Sequence, residues 1–189
     1  MTVQIVGRAA WGARPWAGGV STVTASARQY FVVHYDGGSH ITGTGPAIPR
    51  RIDAEHHANG WSGIGYNFVV DQAGTVFEGR GWALVGSHCP GRNTDGIGVQ
   101  VAIGGNQVPS PAALAAVRAL YDEACRLTGH ALTRTWHGAH YATACPGSHL
   151  IAWVKAGFQP QEAAVEFASD SVAPSNGWVG AIEGGTPPA

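Results

Sequence analysis

Short apolar runs separated by glycine-rich stretches mark the first half of the chain, and one long helical period marks the second. Residues 29–35 (Gln-Tyr-Phe-Val-Val-His-Tyr) form an apolar, β-branched and aromatic run, which predicts a buried strand. A Gly/Ser/Thr-rich loop follows over 36–45. Pro49 suits the first turn of a helix running to about Ala58, with Gly60 as its stop. Residues 66–70 and 75–79 flank Asp71-Gln72-Ala73-Gly74, a hairpin signature. Residues 97–103 predict a second buried strand, ended by Gly104-Gly105. Ser110 is a good N-cap and Pro111 a good first helical residue. Leu114, Val117, Tyr121, Ala124 and Leu127 then follow the 3.6 period of an amphipathic helix, closed by Gly129. A short strand near 133–137, a loop to Gly147 and a helix around 148–157 complete the pattern. Gln159-Pro160-Gln161 breaks it, which divides the chain into a domain at 1–158 and a linker or C-terminal tail at 159–189.

Composition narrows the class. With 189 residues, 44% hydrophobic and 12% charged, the chain is long enough for one real core and is not a disordered segment. Lys plus Arg number 11 against 12 Asp plus Glu, so no basic excess points to nucleic acid. No run of about 20 apolar residues suggests a membrane span. The opening MTVQIVGRAAWGARPW lacks the basic-then-apolar order of a secretory leader. Three cysteines at irregular spacing (Cys89, Cys125, Cys145) argue against a disulfide framework. Nine histidines are many for this length, and they direct attention to metal binding and proton transfer.

His137 and Cys145 lie eight residues apart in His-Gly-Ala-His-Tyr-Ala-Thr-Ala-Cys-Pro-Gly, a spacing that lets imidazole and thiolate converge on one zinc ion. A catalytic zinc needs a third protein ligand, and His34, polar at the end of an apolar strand, is the best candidate. On spacing alone, plainer readings stand beside this one: a satisfied rim histidine, a small buried cysteine, or Cys145 as a peptidase nucleophile with His137 or His34 as its base. His56 and His57 lie on the first helix; one of them could face the groove, but solvated or capping roles are the leading reading. His140 competes with His137 for the ligand role. Cys125 fits the apolar face of the long helix, and Cys89 fits a loop.

Several stretches together resemble the type 2 N-acetylmuramoyl-L-alanine amidases, a family that includes peptidoglycan recognition proteins and phage lysozyme-type amidases. They are Arg8-Ala-Ala-Trp-Gly-Ala13, Val32-Val33-His34, Gly60-Trp-Ser-Gly-Ile-Gly-Tyr-Asn-Phe68, Asp71 to Trp82, Gly86-Ser-His88 with Asn93, Gly96-Ile-Gly98, and His137 to Gly147. The resemblance covers about residues 5–158. It implies an α/β (α+β) fold, a mixed central β-sheet flanked by helices, with zinc at the bottom of a substrate groove. It implies zinc ligands His34, His137 and Cys145, and catalytic roles for Tyr66 and Thr143. It implies substrate contacts at His88, Trp61, Arg80 and Asn93. The implied reaction uses zinc-activated water to cleave the amide between N-acetylmuramic acid and the L-alanine of the stem peptide.

The alternatives are a peptidoglycan-binding module without catalysis and the Cys145 peptidase. Gly60-Trp61 resembles the pair found in recognition proteins that take meso-diaminopimelate stems. One departure stands out: wider-superfamily members that use a glutamate base place it where this chain has Gln100. With no leader and a tail-like end, the expected setting is a phage endolysin, monomeric, made in the host cytoplasm and released through a membrane pore. A secreted enzyme is the alternative.

Overall fold

The computed structural model describes residues 3–159. Six strands form one sheet: β1 (Ile5–Val6), β2 (Tyr30–Tyr35), β3 (Phe68–Val70), β4 (Val76–Glu78), β5 (Gly96–Val101) and β6 (Thr133–Trp136). Their order is β1-β4-β3-β5-β2-β6. The β3–β4 hairpin is antiparallel and every other pairing is parallel, so the sheet is mixed. Four helices accompany it: α1 (Arg8–Trp11), α2 (Ala47–Ala58), α3 (Pro111–Thr128) and α4 (Ser148–Lys155).

Parallel strands are covered on both faces, which is why β2 and β5 read as near-continuous apolar runs. Phe31, Val33, Ile97, Val99 and Val101 point to one face and pack against Leu114, Val117, Leu120 and Tyr121 of α3 and Leu150 and Trp153 of α4. Val69, Phe77 and Ala102 point to the other and meet Ile48 and Ile52 of α2, Trp11 of α1, and Ile64. Side chains alternate along a strand, so His34 lies opposite Phe31 and Val33, on the α2 face. That alternation decides where the chemistry sits.

Buried polar groups need partners, and here they anchor loops. Arg28, 1% exposed, donates to the carbonyls of Trp82, Leu84, Thr94 and Gly96. Asp53 on α2 accepts from the Ile64 and Arg14 amides. Asp71 closes the hairpin turn by accepting from Ala73 and Thr75, and its second oxygen takes the Gly45 amide.

Most expected elements are present, with corrections. Helix α2 begins at Ala47, which makes Pro49 its third residue. Ser110 caps α3 by accepting from Ala113 at 3.0 Å, and Gly129 ends it at φ 77°. Leu127, expected on the apolar face of α3, is 38% exposed because it falls in the last turn, past the core contacts. Cys125 is half-buried against the core and accepts from the Leu132 amide. The tail is described only at Gln159; the rest of it lies outside the described residues. Among the described residues no helix is long and apolar enough to cross a membrane.

Candidate metal centre and substrate groove

Strand register brings the first two candidate ligands together. β2 and β6 run parallel with Val33 opposite Trp136, so His34, still within β2, and His137, the first residue after β6, stand side by side. Their ring centroids are 4.7 Å apart. The chain then turns through a 3-10 segment, His137–Ala139, and loops back to Cys145. The return is pinned by Gly138 N–H donating to Cys145 O at 2.8 Å and Cys145 N–H donating to Thr143 Oγ1 at 3.2 Å. Position 138 takes only glycine without a shift, because a Cβ there would meet Thr143 O at 2.8 Å and Cys145 O at 2.9 Å. Tyr35 N–H donates to Cys145 Sγ at 3.4 Å.

One nitrogen each of His34 and His137 and the Cys145 sulfur lie within 4.8 Å of one another. Cys145 Sγ is 3.7 Å from His34 Nδ1. Tetrahedral zinc with bonds of about 2.3 Å to sulfur and about 2.1 Å to nitrogen requires an N···S edge of roughly 3.6 Å. His137 Nε2 is buried and has no hydrogen-bond partner among the described residues, as an unfilled ligand position would leave it. The donor set therefore fits zinc. Burial holds both imidazoles neutral, the state in which they ligate. Burial also pushes the Cys145 thiol up to about 12, so a bare thiolate is unfavourable there and a cation is needed to stabilise it. A peptidase nucleophile requires the opposite shift. His140 is out of contention, because its Nε2 is engaged with Thr135 Oγ1 at 3.0 Å.

A cavity of about 310 Å³ opens beside this triad, lined in part by Trp61, Tyr66, His88, Asn93, His137 and Tyr141. Tyr66 has its ring centroid 5.2 Å from that of His34. Burial, then the nearby Cys145, raises its pKa above the ordinary phenol value, so it stays protonated and serves as a donor. Thr143 is exposed, and because its oxygen accepts the Cys145 amide, its own proton is left to donate outward. His88 is buried and its Nδ1 lies 3.0 Å from His34 Nε2. Asn93 lines the cavity, and its Oδ1 also fastens the loop by accepting from the His88 and Cys89 amides. Trp61 is 41% exposed and leans on the His56 ring at 4.5 Å.

Three expectations change. Arg80 does not line this cavity: it is 8% exposed, with Nε and Nη1 committed to the carbonyls of Ile64 and Val85. His56 is not solvated; it is buried and its Nδ1 accepts the Gly65 amide at 2.9 Å. His57 is tied to the Asp53 and Pro15 carbonyls rather than free in solvent. Gln100 is buried and donates to Asp36 Oδ1 at 3.1 Å, and its amide supplies no carboxylate. Tyr141, not singled out in the sequence, is 54% exposed and stacks on His137 at 5.8 Å. Its place four residues after a candidate ligand was the available signal.

Burial lowers the pKa of His56 to about 4 and of His88 to about 3. Unfolded histidines titrate near 6.5. The unfolded chain thus binds protons that the folded chain refuses, so this stability is full above pH 6.5 and is lost as pH falls. The thermal midpoint of the metal-free protein is expected to drop between pH 7 and pH 5; a flat or rising midpoint would contradict the neutral assignment.

Comparison with known proteins gives the family and the fold. The N-acetylmuramoyl-L-alanine amidase family pattern matches residues 24–148. Peptidoglycan-recognition protein SC2 of Drosophila simulans is 32% identical over 156 residues, spanning 78% of this chain and 83% of that protein. The structure of N-acetylmuramoyl-L-alanine amidase LysC from Clostridium intestinale URNW superposes with a TM-score of 0.66 at 28% identity, covering 84% of this chain and 99% of that one. The ectodomain complex of peptidoglycan recognition proteins LCa and LCx, bound to tracheal cytotoxin, gives a TM-score of 0.72 at 29% identity, covering 80% and 94%. The chain belongs to the N-acetylmuramoyl-L-alanine amidase family.

Proposed function

We propose that this chain is a zinc-dependent hydrolase that cuts the amide between the lactyl group of N-acetylmuramic acid and the L-alanine of the peptidoglycan stem peptide. The observation that carries the reading is the complete donor set, with ligand atoms of His34, His137 and Cys145 within 4.8 Å at the edge of an open cavity. A zinc ion held by His34, His137 and Cys145 would supply Lewis acidity for the amide carbonyl and the attacking water.

The chain's own groups do the rest. Tyr66 keeps its proton and donates to the carbonyl oxygen as negative charge gathers on it. Thr143 offers a second neutral donor from the loop that carries Cys145. The buried surroundings of Tyr66 exclude water and strengthen its donation. Trp61 and Tyr141, both exposed and apolar, form walls on which the substrate packs. Gly60-Trp61 supports a meso-diaminopimelate stem as the preferred substrate, and the binding of tracheal cytotoxin by the similar LCa and LCx complex supports a peptidoglycan fragment as ligand.

The test is digestion of a purified muramoyl-tetrapeptide followed by product weighing. Release of an intact peptide with a free L-alanine amine, the two products together exceeding the substrate by one water, is the expected result. Cleavage elsewhere in the stem would favour the peptidase reading. Tight binding with no product would favour a recognition module.

A further inference from the structure

His88 is placed with unusual care for a residue whose only task is to touch substrate. Its ring stands nearly perpendicular to that of His34, at 82° with centroids 5.0 Å apart, and its Nδ1 faces His34 Nε2 at 3.0 Å. Two glycines make room for it. A Cβ at Gly98, or at Gly86, would collide with the ring. Gly98 is itself pinned by donating its amide to Asn67 Oδ1 at 2.9 Å. The His88 amide donates to Asn93 Oδ1 at 2.7 Å, which fixes the backbone from the other side.

Two neutral imidazoles in contact share one hydrogen, and its location determines what each ring offers next. If it sits on His34 Nε2, then His34 Nδ1 is a bare lone pair, 3.7 Å from Cys145 Sγ and able to ligate. If it sits on His88 Nδ1, then His34 carries its proton on Nδ1, directed at the metal position. Ligating histidines generally give their second N–H to an acceptor that fixes both tautomer and ring orientation. Among the described residues, His88 Nδ1 is the only acceptor within hydrogen-bond distance of His34 Nε2.

We propose that His88 is a positioning residue for the metal ligand His34: by accepting from Nε2 it keeps Nδ1 free and aimed at the ion. This rests on the metal-dependent reading above and adds a task that substrate contact does not supply.

Asparagine and glutamine separate the two tasks. The Oδ1 of Asn occupies about the position of His Nδ1, whereas the Oε1 of Gln occupies about the position of Nε2. His88→Asn retains the acceptor beneath His34, and His88→Gln removes it. Zinc affinity is read by competition with a chromophoric chelator, and the unfolding midpoint of each metal-free variant is read alongside. The expected result is a loss of roughly 10- to 100-fold in affinity for His88→Gln, with His88→Asn close to wild type and similar metal-free midpoints for the two. Equal affinities for wild type and both variants would overturn the proposal. So would equal losses in both variants, accompanied by matching drops in the metal-free midpoint, since that pattern marks plain packing. A wild-type protein that binds no zinc would overturn the metal reading itself, and this inference with it.

Discussion

Cys145→Ser is expected to abolish zinc binding and hydrolysis while leaving the fold intact. The thiolate is the only anionic ligand in the set, and a serine hydroxyl does not ionise to replace it. The loss in affinity should exceed the roughly 10- to 100-fold typical of removing a mere hydrogen-bond partner of a ligand. The fold persists because the loop carrying Cys145 is held by backbone bonds that the substitution does not touch, Gly138 N–H to Cys145 O and Gly147 N–H to Ala144 O. The two apolar clusters, one on each face of the sheet, do not include Cys145. Zinc content by mass spectrometry, circular dichroism and clearing of purified cell walls read the three parts separately. Undiminished clearing would remove Cys145 from the site. A variant that kept zinc yet lost activity would point instead to the thiol as nucleophile, against its raised pKa.

Tyr66→Phe is expected to retain zinc and lose turnover. The ring packs between His34 at 5.2 Å and His56 at 5.6 Å, so phenylalanine preserves the packing and removes only the hydroxyl. Removing one preorganised donor to a developing oxyanion costs about 10²- to 10³-fold in kcat. The loss should appear in kcat with KM little changed, because the interaction strengthens only as charge develops. Equal rates for the variant and wild type would leave Tyr66 as a wall of the cavity with no part in the chemistry.

The strands were legible because two of them are covered on both faces, and a polar residue at the end of such a run, His34, is conspicuous. The motif His137 to Gly147 was legible as one loop. What spacing alone did not give is that His137 leaves β6 level with His34, since that follows from a pairing between strands more than a hundred residues apart. β1 and α1 escaped notice because two and four residues carry no readable period. His56 read chiefly as solvated or capping, although it continues the Ile48, Ile52 stripe of α2 at the i+4 interval, the signal that it faces inward. Arg28, Asp53 and Asn67 resemble surface residues in the sequence. They are buried because each pairs with main-chain groups distant in sequence, a partnership that no local pattern encodes. Arg80 sits within a resemblance motif, yet two of its three nitrogens are spent on loop carbonyls.

The most direct test of the zinc hydrolase account is metal content of the purified protein, measured together with cell-wall clearing before and after chelation. The account predicts one zinc per chain, clearing lost on chelation, and clearing restored by added zinc. Clearing that survives removal of all metal would contradict it and direct attention to Cys145 as a nucleophile.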